Sequence, residues 1–319
     1  MSDPTWGVVS TIKAPARDIL SFAAHHLDLG AHRVIVYLDD DNPAAFKALK
    51  AHPKCRVIDC DDTYWKRRKG RPEKHQARQT ANATRCYRRG PGVDWLAHID
   101  VDEFLWPQSS LPAQLAMLSE DILSARIRPV EALAPDPANP PKPGQTWFKS
   151  YARKQHPRRA QTATIYPTYG QFLNGGFLSH VAGKIFVRTG TDKLSLRIHN
   201  AFVAGKMDEN AAELSGTVLC HMHAATWEAF RAAFAFRLAQ GSYRSELKPV
   251  PTADGAGVNM NALFSMIEDE GGESALSAFY DEVCTATPSL RAQLLAHNLL
   301  YDVALDLDAK RARHFPQFA

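Results

Sequence analysis

The sequence lacks the features that carry a chain into or across a membrane. Its N-terminus has no basic segment followed by an apolar one, and no apolar run approaches the roughly 20 residues that a spanning helix needs. We therefore expect a cytoplasmic protein, either soluble or attached peripherally to the inner face of a membrane.

Cysteine and excess charge are also scarce. The five cysteines follow no metal-binding spacing, which favours reduced thiols in a cytosolic protein. The net charge of +4 is too small to indicate a nucleic-acid partner, although an anionic ligand fits it. The 319 residues are enough for one large α/β domain or two small ones, and we see no internal repeat.

The most informative segment runs from Trp95 to Leu105. Its apolar positions, among them Leu96 and Ile99, are typical of a buried strand. The strand runs into Asp100-Val101-Asp102, and buried carboxylates are costly unless they are paired or bound to a metal. Two hard oxygen ligands at a strand end suit Mn²⁺ or Mg²⁺, which would take further ligands from water and phosphate. A solvated strand end would give the same bare Asp-x-Asp triplet.

The N-terminal part of the chain predicts a βαβ unit. A strand over 6–12 is followed by a helix that begins at Pro15 and by a second strand over 34–38. Strands connected in this way run parallel, and ligands bind beyond their carboxyl ends. Lys13 and the acidic turn 39–41 fall at those ends, although such a turn could equally cap the next helix.

The helix predicted over 73–87 carries three amide side chains at three-residue spacing, which places them on one face. These residues are Gln76, Gln79 and Asn82. An ordinary solvated helix face would look similar.

The longer string Trp-Leu-x-x-Ile-Asp-x-Asp-Glu-Phe-Leu resembles the signature of a group of family 2-type glycosyltransferases, related to family 92, which have the GT-A fold. The strings Gly183-Lys184-Ile-Phe-Val-Arg188 and His221-x-His223 resemble the same group. The resemblance covers roughly residues 6–240. It implies a metal-dependent enzyme that transfers a sugar, with inversion, from a nucleotide diphosphate-sugar, most often a UDP-sugar, to a hydroxyl of a polysaccharide or glycolipid.

The resemblance also implies roles for individual residues. Asp100 and Asp102 would bind Mn²⁺ or Mg²⁺, with His223 or His221 as the third protein ligand. The base that deprotonates the acceptor would be Glu103, Asp208 or Glu209. The nucleotide and donor would contact Thr11, Lys13, Asp39, Asp40, Asp41, Gln76, Asp100, Val101 and Lys184.

We expect an α/β fold of GT-A (Rossmann-like) type, with a mostly parallel sheet flanked by helices. Residues 1–240 would form the catalytic domain. Residues 241–319 would form a helical extension, with helices near 259–270, 273–285 and 288–300.

Two other functions compete with this interpretation. A nucleotidyltransferase also binds metal through an acidic pair, but it would normally carry a glycine-rich basic loop after its first strand, and the segment 11–15 lacks one. A non-catalytic nucleotide-sugar-binding module would be expected to lose one aspartate of the pair, and here both are present. A hydrolase is a third and weaker alternative.

Overall fold

The structure is a computed structural model that describes residues 3–241, 243–245 and 257–318. The strands are β1 (Trp6–Ile12), β2 (Arg33–Leu38), β3 (Cys55–Asp59), β4 (Trp95–His98), β5 (Glu103–Pro107), β6 (Ser124–Ala132), β7 (Gln145–Lys149), β8 (Lys184–Arg188), β9 (Leu194–Leu196), β10 (Ala201–Val203), β11 (Lys206–Met207), β12 (Ala212–His221) and β13 (Leu300–Ala304). The α-helices are α1 (Ala16–Asp28), α2 (Pro43–Ala51), α3 (Asp62–Lys66), α4 (His75–Arg88), α5 (Leu111–Ala116), α6 (Gln155–Ile165), α7 (Trp227–Ala239), α8 (Met260–Cys284), α9 (Pro288–Ala296) and α10 (Leu307–His314). Short 3₁₀ helices cover Gly170–Phe172 and Pro316–Phe318.

The chain forms two compact units. The first contains the described residues within Met1–Arg128, Ala182–Leu219 and Asp306–Ala319, and the second those within Pro129–Val181 and Cys220–Leu305. The predicted division into a catalytic domain, 1–240, and an extension, 241–319, is a functional division and stays a prediction.

A parallel sheet forms the centre of the first unit. β3, β2, β1 and β4 are adjacent in that order, and every pairing among them is parallel. β8 continues the sheet antiparallel to β4, and the first half of β6 pairs antiparallel with β8. The predicted α/β fold, with its mostly parallel sheet flanked by helices and its helical C-terminal region, is confirmed.

Apolar side chains on one side of this sheet form a continuous core with the helices that cover it. Val9, Ile35, Leu96 and Val187 come from neighbouring strands, and Ala83 and other α4 residues pack onto them. The predicted cap of α2 is also present, because Asn42 accepts a hydrogen bond from the Ala45 amide at 3.1 Å and Pro43 occupies the first helical turn. The cap therefore begins α2 directly after the turn 39–41.

The second unit has its own antiparallel strands and an aromatic core. The end of β6 pairs with β7, and β7 pairs with β13. Phe230, Phe264 and Phe279, from α7 and α8, are fully buried in its core. No helix among the described residues is long and apolar enough to cross a membrane.

β9 and β10 form a hairpin, closed by a hydrogen bond from the Arg197 amide to the Asn200 carbonyl. β6 extends to Ala132. One local prediction needs correction. The last predicted helix stops at Ala296, because Asn298 adopts a positive φ of 56°. β13 then follows where helix was expected.

Candidate active site

Helix α4 contacts the carboxyl ends of three parallel strands. Asn82 Nδ2 donates to Thr11 Oγ1 at the end of β1, at 3.2 Å. Arg78 Nε donates to Asp39, directly after β2, at 2.7 Å, and Gln79 Nε2 donates to Asp100, after β4, at 2.5 Å. One helix therefore fixes the polar residues that follow β1, β2 and β4 at a single edge of the sheet.

Asp39 is enclosed by cationic side chains. Its carboxylate is fully buried and accepts from Arg78 Nε at 2.7 Å and from Arg71 Nη2 at 2.9 Å, with His75 Nδ1 at 3.4 Å. Burial opposes ionisation of this carboxyl, but the hydrogen bonds from His75 and Arg78 and the charges of both arginines hold its pKa below the usual value. Asp39 is therefore a rigid anion at the end of β2.

Asp100 is held by a buried lysine. Lys184 Nζ, at the start of β8, donates to Asp100 Oδ2 at 2.7 Å and lies 3.4 Å from Glu103 Oε2. The Lys184 side chain is fully buried, which alone would lower its pKa, but the charges of Asp100 and Glu103 raise it above the usual value. Glu103 is also fully buried, and its Oε2 accepts from the Asp100 amide at 2.8 Å. These contacts fix both the side chain and the backbone of Asp100.

A steric constraint requires glycine at the position before Lys184. Gly183 has a φ of 72°, and a Cβ built there would lie 2.0 Å from the carbonyl oxygen of Ile127. Only glycine fits this close approach of backbone to backbone. His199 Nδ1 donates to the Gly183 carbonyl at 2.8 Å, so the start of β8 is fixed from both sides.

A group of candidate metal ligands is formed by Asp102, His221 and His223. Each offers one ligand atom, and these atoms all lie within 4.8 Å of one another. The topology explains part of this arrangement, because β12, which ends at His221, pairs with β5, which begins directly after Asp102. A carboxylate oxygen and two imidazole nitrogens are a donor set that a divalent transition metal accepts.

A comparison with known protein families identifies the family of the chain. Residues 9–252 match the family model of glycosyltransferase family 92. The chain belongs to glycosyltransferase family 92. No curated protein matches the sequence of this family 92 enzyme.

Among solved structures, the crystal structure of HddC from Yersinia pseudotuberculosis is similar to part of the family 92 chain. It shares 11% sequence identity at a TM-score of 0.26, and the match covers 42% of this chain. The chain spans 65% of the length of that structure.

Asp100, the other predicted metal ligand of the Asp-x-Asp pair, is not part of this group of candidate ligands. Among the described residues, the group contains Asp102, His221 and His223 and leaves out Asp100. In this family 92 enzyme the carboxylate of Asp100 contacts Lys184 and Gln79 instead. Its assignment as a metal ligand stays a prediction.

Other predicted donor residues differ in exposure. Lys13, Asp41 and Gln76 are exposed, and Val101 is half-buried. Burial raises the pKa of Asp40, and the charge of Lys13 opposes that shift. The expectation that Gln76 shares a face with Gln79 and Asn82 is wrong, because only the latter two are buried against the strand ends.

The three predicted catalytic bases lie in different surroundings. Asp208 accepts from Ser124 Oγ at 2.6 Å. Ser124 is in register with Val187, and Val187 is in register with Leu96. Leu96 precedes Asp100 by about 13 Å of extended chain. Ser124, and with it Asp208, therefore lies away from the carboxyl edge. Glu209 is exposed, and Glu103, as described above, is fully buried.

Sequence reasoning missed three residues of the site, Arg71, His75 and Arg78. A usable signal is the spacing of His75, Arg78, Gln79 and Asn82, because positions i, i+3, i+4 and i+7 share one helix face. That face is the one that meets the strand ends.

The predicted histidine ligand at position 223 is oriented by its neighbours in the second unit. Its Nε2 lies 3.1 Å from the Tyr243 hydroxyl, and Arg237 Nη2 donates to its carbonyl oxygen at 2.8 Å. The rings of His221 and His223 lie 5.1 Å apart. Partners that fix ring orientation are common around metal-binding imidazoles.

Proposed function

We propose that this family 92 glycosyltransferase uses a nucleotide diphosphate-sugar and depends on a divalent cation. The observation that carries the proposal is the group of Asp102, His221 and His223, whose ligand atoms lie within 4.8 Å of one another. The mixed oxygen and nitrogen donor set favours Mn²⁺ over Mg²⁺, which prefers oxygen ligands alone. When bound, the cation would neutralise the negative charge that develops on the diphosphate leaving group.

The nucleotide occupies the carboxyl edge of the sheet in this proposal. Parallel α/β sheets bind ligands there, and Thr11, Lys13 and the turn 39–41 lie at the ends of β1 and β2. The exposed Lys13 and the partly exposed Arg71 add positive charge for the phosphates. The resemblance to glycosyltransferases favours UDP, and GDP is the alternative.

The Asp100–Lys184 contact supports a positioning role for the lysine. The Lys184 ammonium is fully buried and contacts Asp100 and Glu103 instead of facing solvent. Lys184 therefore orients Asp100 towards the donor. Orienting a carboxylate before the substrate arrives lowers the reorganisation needed during the reaction.

In this proposal the sugar is transferred, with inversion at its anomeric carbon, to a hydroxyl of a polysaccharide or glycolipid. A base must lie within hydrogen-bond reach of that hydroxyl. Of the three predicted bases, Glu103 is buried, Asp208 is bonded to Ser124, and Glu209 is exposed but directly follows Asp208 in the chain. Exposure alone therefore does not single out Glu209, and separate mutation of each of the three is the test.

The test is nucleotide binding with and without metal. Calorimetry of UDP and GDP in Mn²⁺ and in EDTA is compared for the wild type, Asp102→Ala and Glu120→Ala, the last an exposed carboxylate away from the motif. We expect metal-dependent binding in the wild type and Glu120→Ala and its loss in Asp102→Ala. Absence of binding of either nucleotide to the wild type in Mn²⁺ would overturn the donor assignment.

A further inference from the structure

A groove lined by arginines lies on the side of α4 that faces away from the strand ends. Arg85, Arg88 and Arg89 come from the end of α4, and Arg197 comes from the turn between β9 and β10. The groove has a volume of about 630 Å³, and its remaining lining is small or uncharged. These other lining residues are Ala77, Thr80, Ala81, Thr84, Ser195 and Leu196.

Within the described part of the chain, none of these four arginines forms an ion pair with a carboxylate, in contrast to Arg71 and Arg78, which pair with Asp39. Arg88 Nε donates only to the Leu194 carbonyl, at 3.2 Å. Clefts lined by one sign of charge concentrate ligands of the opposite sign.

One arginine also has an unused donor. Arg85 Nε is buried and has no hydrogen-bond partner. A buried donor without a partner is costly, and a ligand that supplies an acceptor removes that cost. The guanidinium plane matches carboxylate, phosphate and sulfate groups through paired hydrogen bonds.

A second cavity shares a lining residue with the groove. Arg88 also lines this cavity of about 470 Å³, together with Gly90, Gly92 and Lys193, and with one acidic residue, Asp192. A concave surface suits a flexible chain better than the flat face of a bilayer.

We propose that this arginine groove binds an acidic glycan, a chain of sugars that carries carboxylate, phosphate or sulfate groups. The proposal deepens the proposed function, on which it rests, because it assigns the acceptor to the acidic class. α4 connects the two sites: its Thr80 and Thr84 line the groove, while Gln79 and Asn82 contact the strand ends. The diameter of a helix, about 10 Å, separates the two faces, so a chain of several sugars can reach from one to the other.

The experiment measures binding of labelled hexasaccharides by fluorescence anisotropy. The probes are a hexagalacturonate, a heparin hexasaccharide and, as the neutral control, maltohexaose. Inorganic phosphate serves as a competitor, and mixed phosphatidylcholine–phosphatidylserine vesicles test membrane binding. The test variant combines Arg89→Glu with Arg197→Glu. The control combines Lys47→Glu with Lys50→Glu, which makes the same change in charge on exposed α2 residues of the same unit.

We expect the wild type and the lysine variant to bind at least one acidic hexasaccharide and not maltohexaose. The arginine variant should bind it about tenfold more weakly or worse, and added salt should weaken binding in all three. Equal affinity of the arginine and lysine variants, or binding to vesicles without binding to either acidic hexasaccharide, would overturn the proposal.

Nucleotide binding separates this proposal from the proposed function. UDP affinity in Mn²⁺ should be the same in the arginine variant and the wild type, which also shows that the variant is folded. If the wild type binds acidic hexasaccharides through the arginines but binds no nucleotide, the donor assignment fails and the groove assignment stands.

Discussion

Lys184 Nζ lies 2.7 Å from Asp100 Oδ2, with no part of the lysine side chain exposed. The pairing of β8 with β4 brings these residues together, because Ala97 and Phe186 are in register and Lys184 begins β8. A lysine that appears in the sequence as a phosphate contact is thus a buried partner of the Asp-x-Asp motif. In the proposed function, Lys184 acts on the donor through Asp100.

Replacing Lys184 by methionine should destabilise the protein and weaken nucleotide binding. Asp100 and Glu103 would lose their shared cation, and leaving buried charge unpaired costs about 3–5 kcal/mol. Urea denaturation gives the loss in the free energy of unfolding, and calorimetry with UDP and Mn²⁺ gives the change in affinity. Lys206→Met, at an exposed lysine of β11, is the matched control and should change neither quantity.

A second variant separates the two effects. Lys184→Met combined with Glu103→Gln removes one of the carboxylates that the missing cation leaves unpaired, and it should recover part of the lost stability. It should not recover nucleotide affinity, because Asp100 still lacks its contact with the Lys184 ammonium. A Lys184→Met enzyme with wild-type stability and affinity would contradict the positioning role.

Asp102→Asn should lower kcat/KM strongly in the presence of Mn²⁺. The amide keeps the size of the side chain but loses the charge that a cation needs, and loss of the cation costs on the order of 10³-fold in rate. Steady-state donor hydrolysis or transfer measures the effect, with Glu120→Gln as a control. Full activity of Asp102→Asn would remove the metal-dependent mechanism.

Much of the first unit could be predicted from local pattern. Apolar strands, short connections and the rule that βαβ units are parallel place Thr11, Asp39 and Asp100 at one edge. The family assignment could be predicted as well, because the Ile99–Phe104 string is specific. These inferences depend on residues close together in the sequence.

The contacts within the site could not be predicted in the same way. Whether Arg78 is solvated or bonded to Asp39 depends on how α4 lies across the strands, and 39 residues separate the two. Gln76 shows the same limit, since a three-residue spacing drifts around a helix and takes it out of the buried face. β13 was missed because a strand at the end of a helical region is stabilised by β7, which is distant in the sequence.

The second unit contains a buried ion pair that gives a further prediction. Lys149 Nζ lies 3.3 Å from Glu131 Oε1, and the Glu131 carboxylate also accepts from the amides of Leu178 and Ser179. Burial opposes ionisation of Glu131, but the Lys149 charge and these hydrogen bonds hold its pKa below the usual value. The pair therefore fixes the segment that follows Gly175 and Gly176.

Lys149→Met should cost more stability than Glu131→Gln. The first leaves a buried carboxylate without its cation, at about 3–5 kcal/mol, whereas the second keeps an acceptor for one backbone amide and leaves the ammonium bonded to the Val283 carbonyl. Urea denaturation of both variants tests the order, with the exposed Lys154→Met as the control. The reverse order would show that the amide contacts dominate.

The last prediction concerns acid and His26. His26 is fully buried in α1, with Nδ1 donating to the Phe22 carbonyl at 2.8 Å and Nε2 facing the Leu105 amide at 3.5 Å. This arrangement requires a neutral ring. Burial, aided by the charge of Lys310, lowers the pKa of His26 to about 4. The neighbouring His25, bonded to the Leu105 carbonyl and to Lys310, has a lowered pKa for the same main reason.

The sign of the pH dependence follows from these shifts. Between the unfolded value near 6.5 and the folded value of about 4, the unfolded chain binds a proton that the folded chain does not. The free energy of unfolding therefore falls as pH falls through this window, by about 1.4 kcal/mol per pH unit for each such histidine. Urea denaturation from about pH 7 to about pH 4.5 should show this slope. His26→Gln should make the slope shallower by about 1.4 kcal/mol per pH unit, which is the contribution of one proton. His156→Gln, at an exposed histidine of α6, should leave it unchanged. An equally steep slope in His26→Gln would mean that the ring of His26 is not the group that takes up the proton on unfolding.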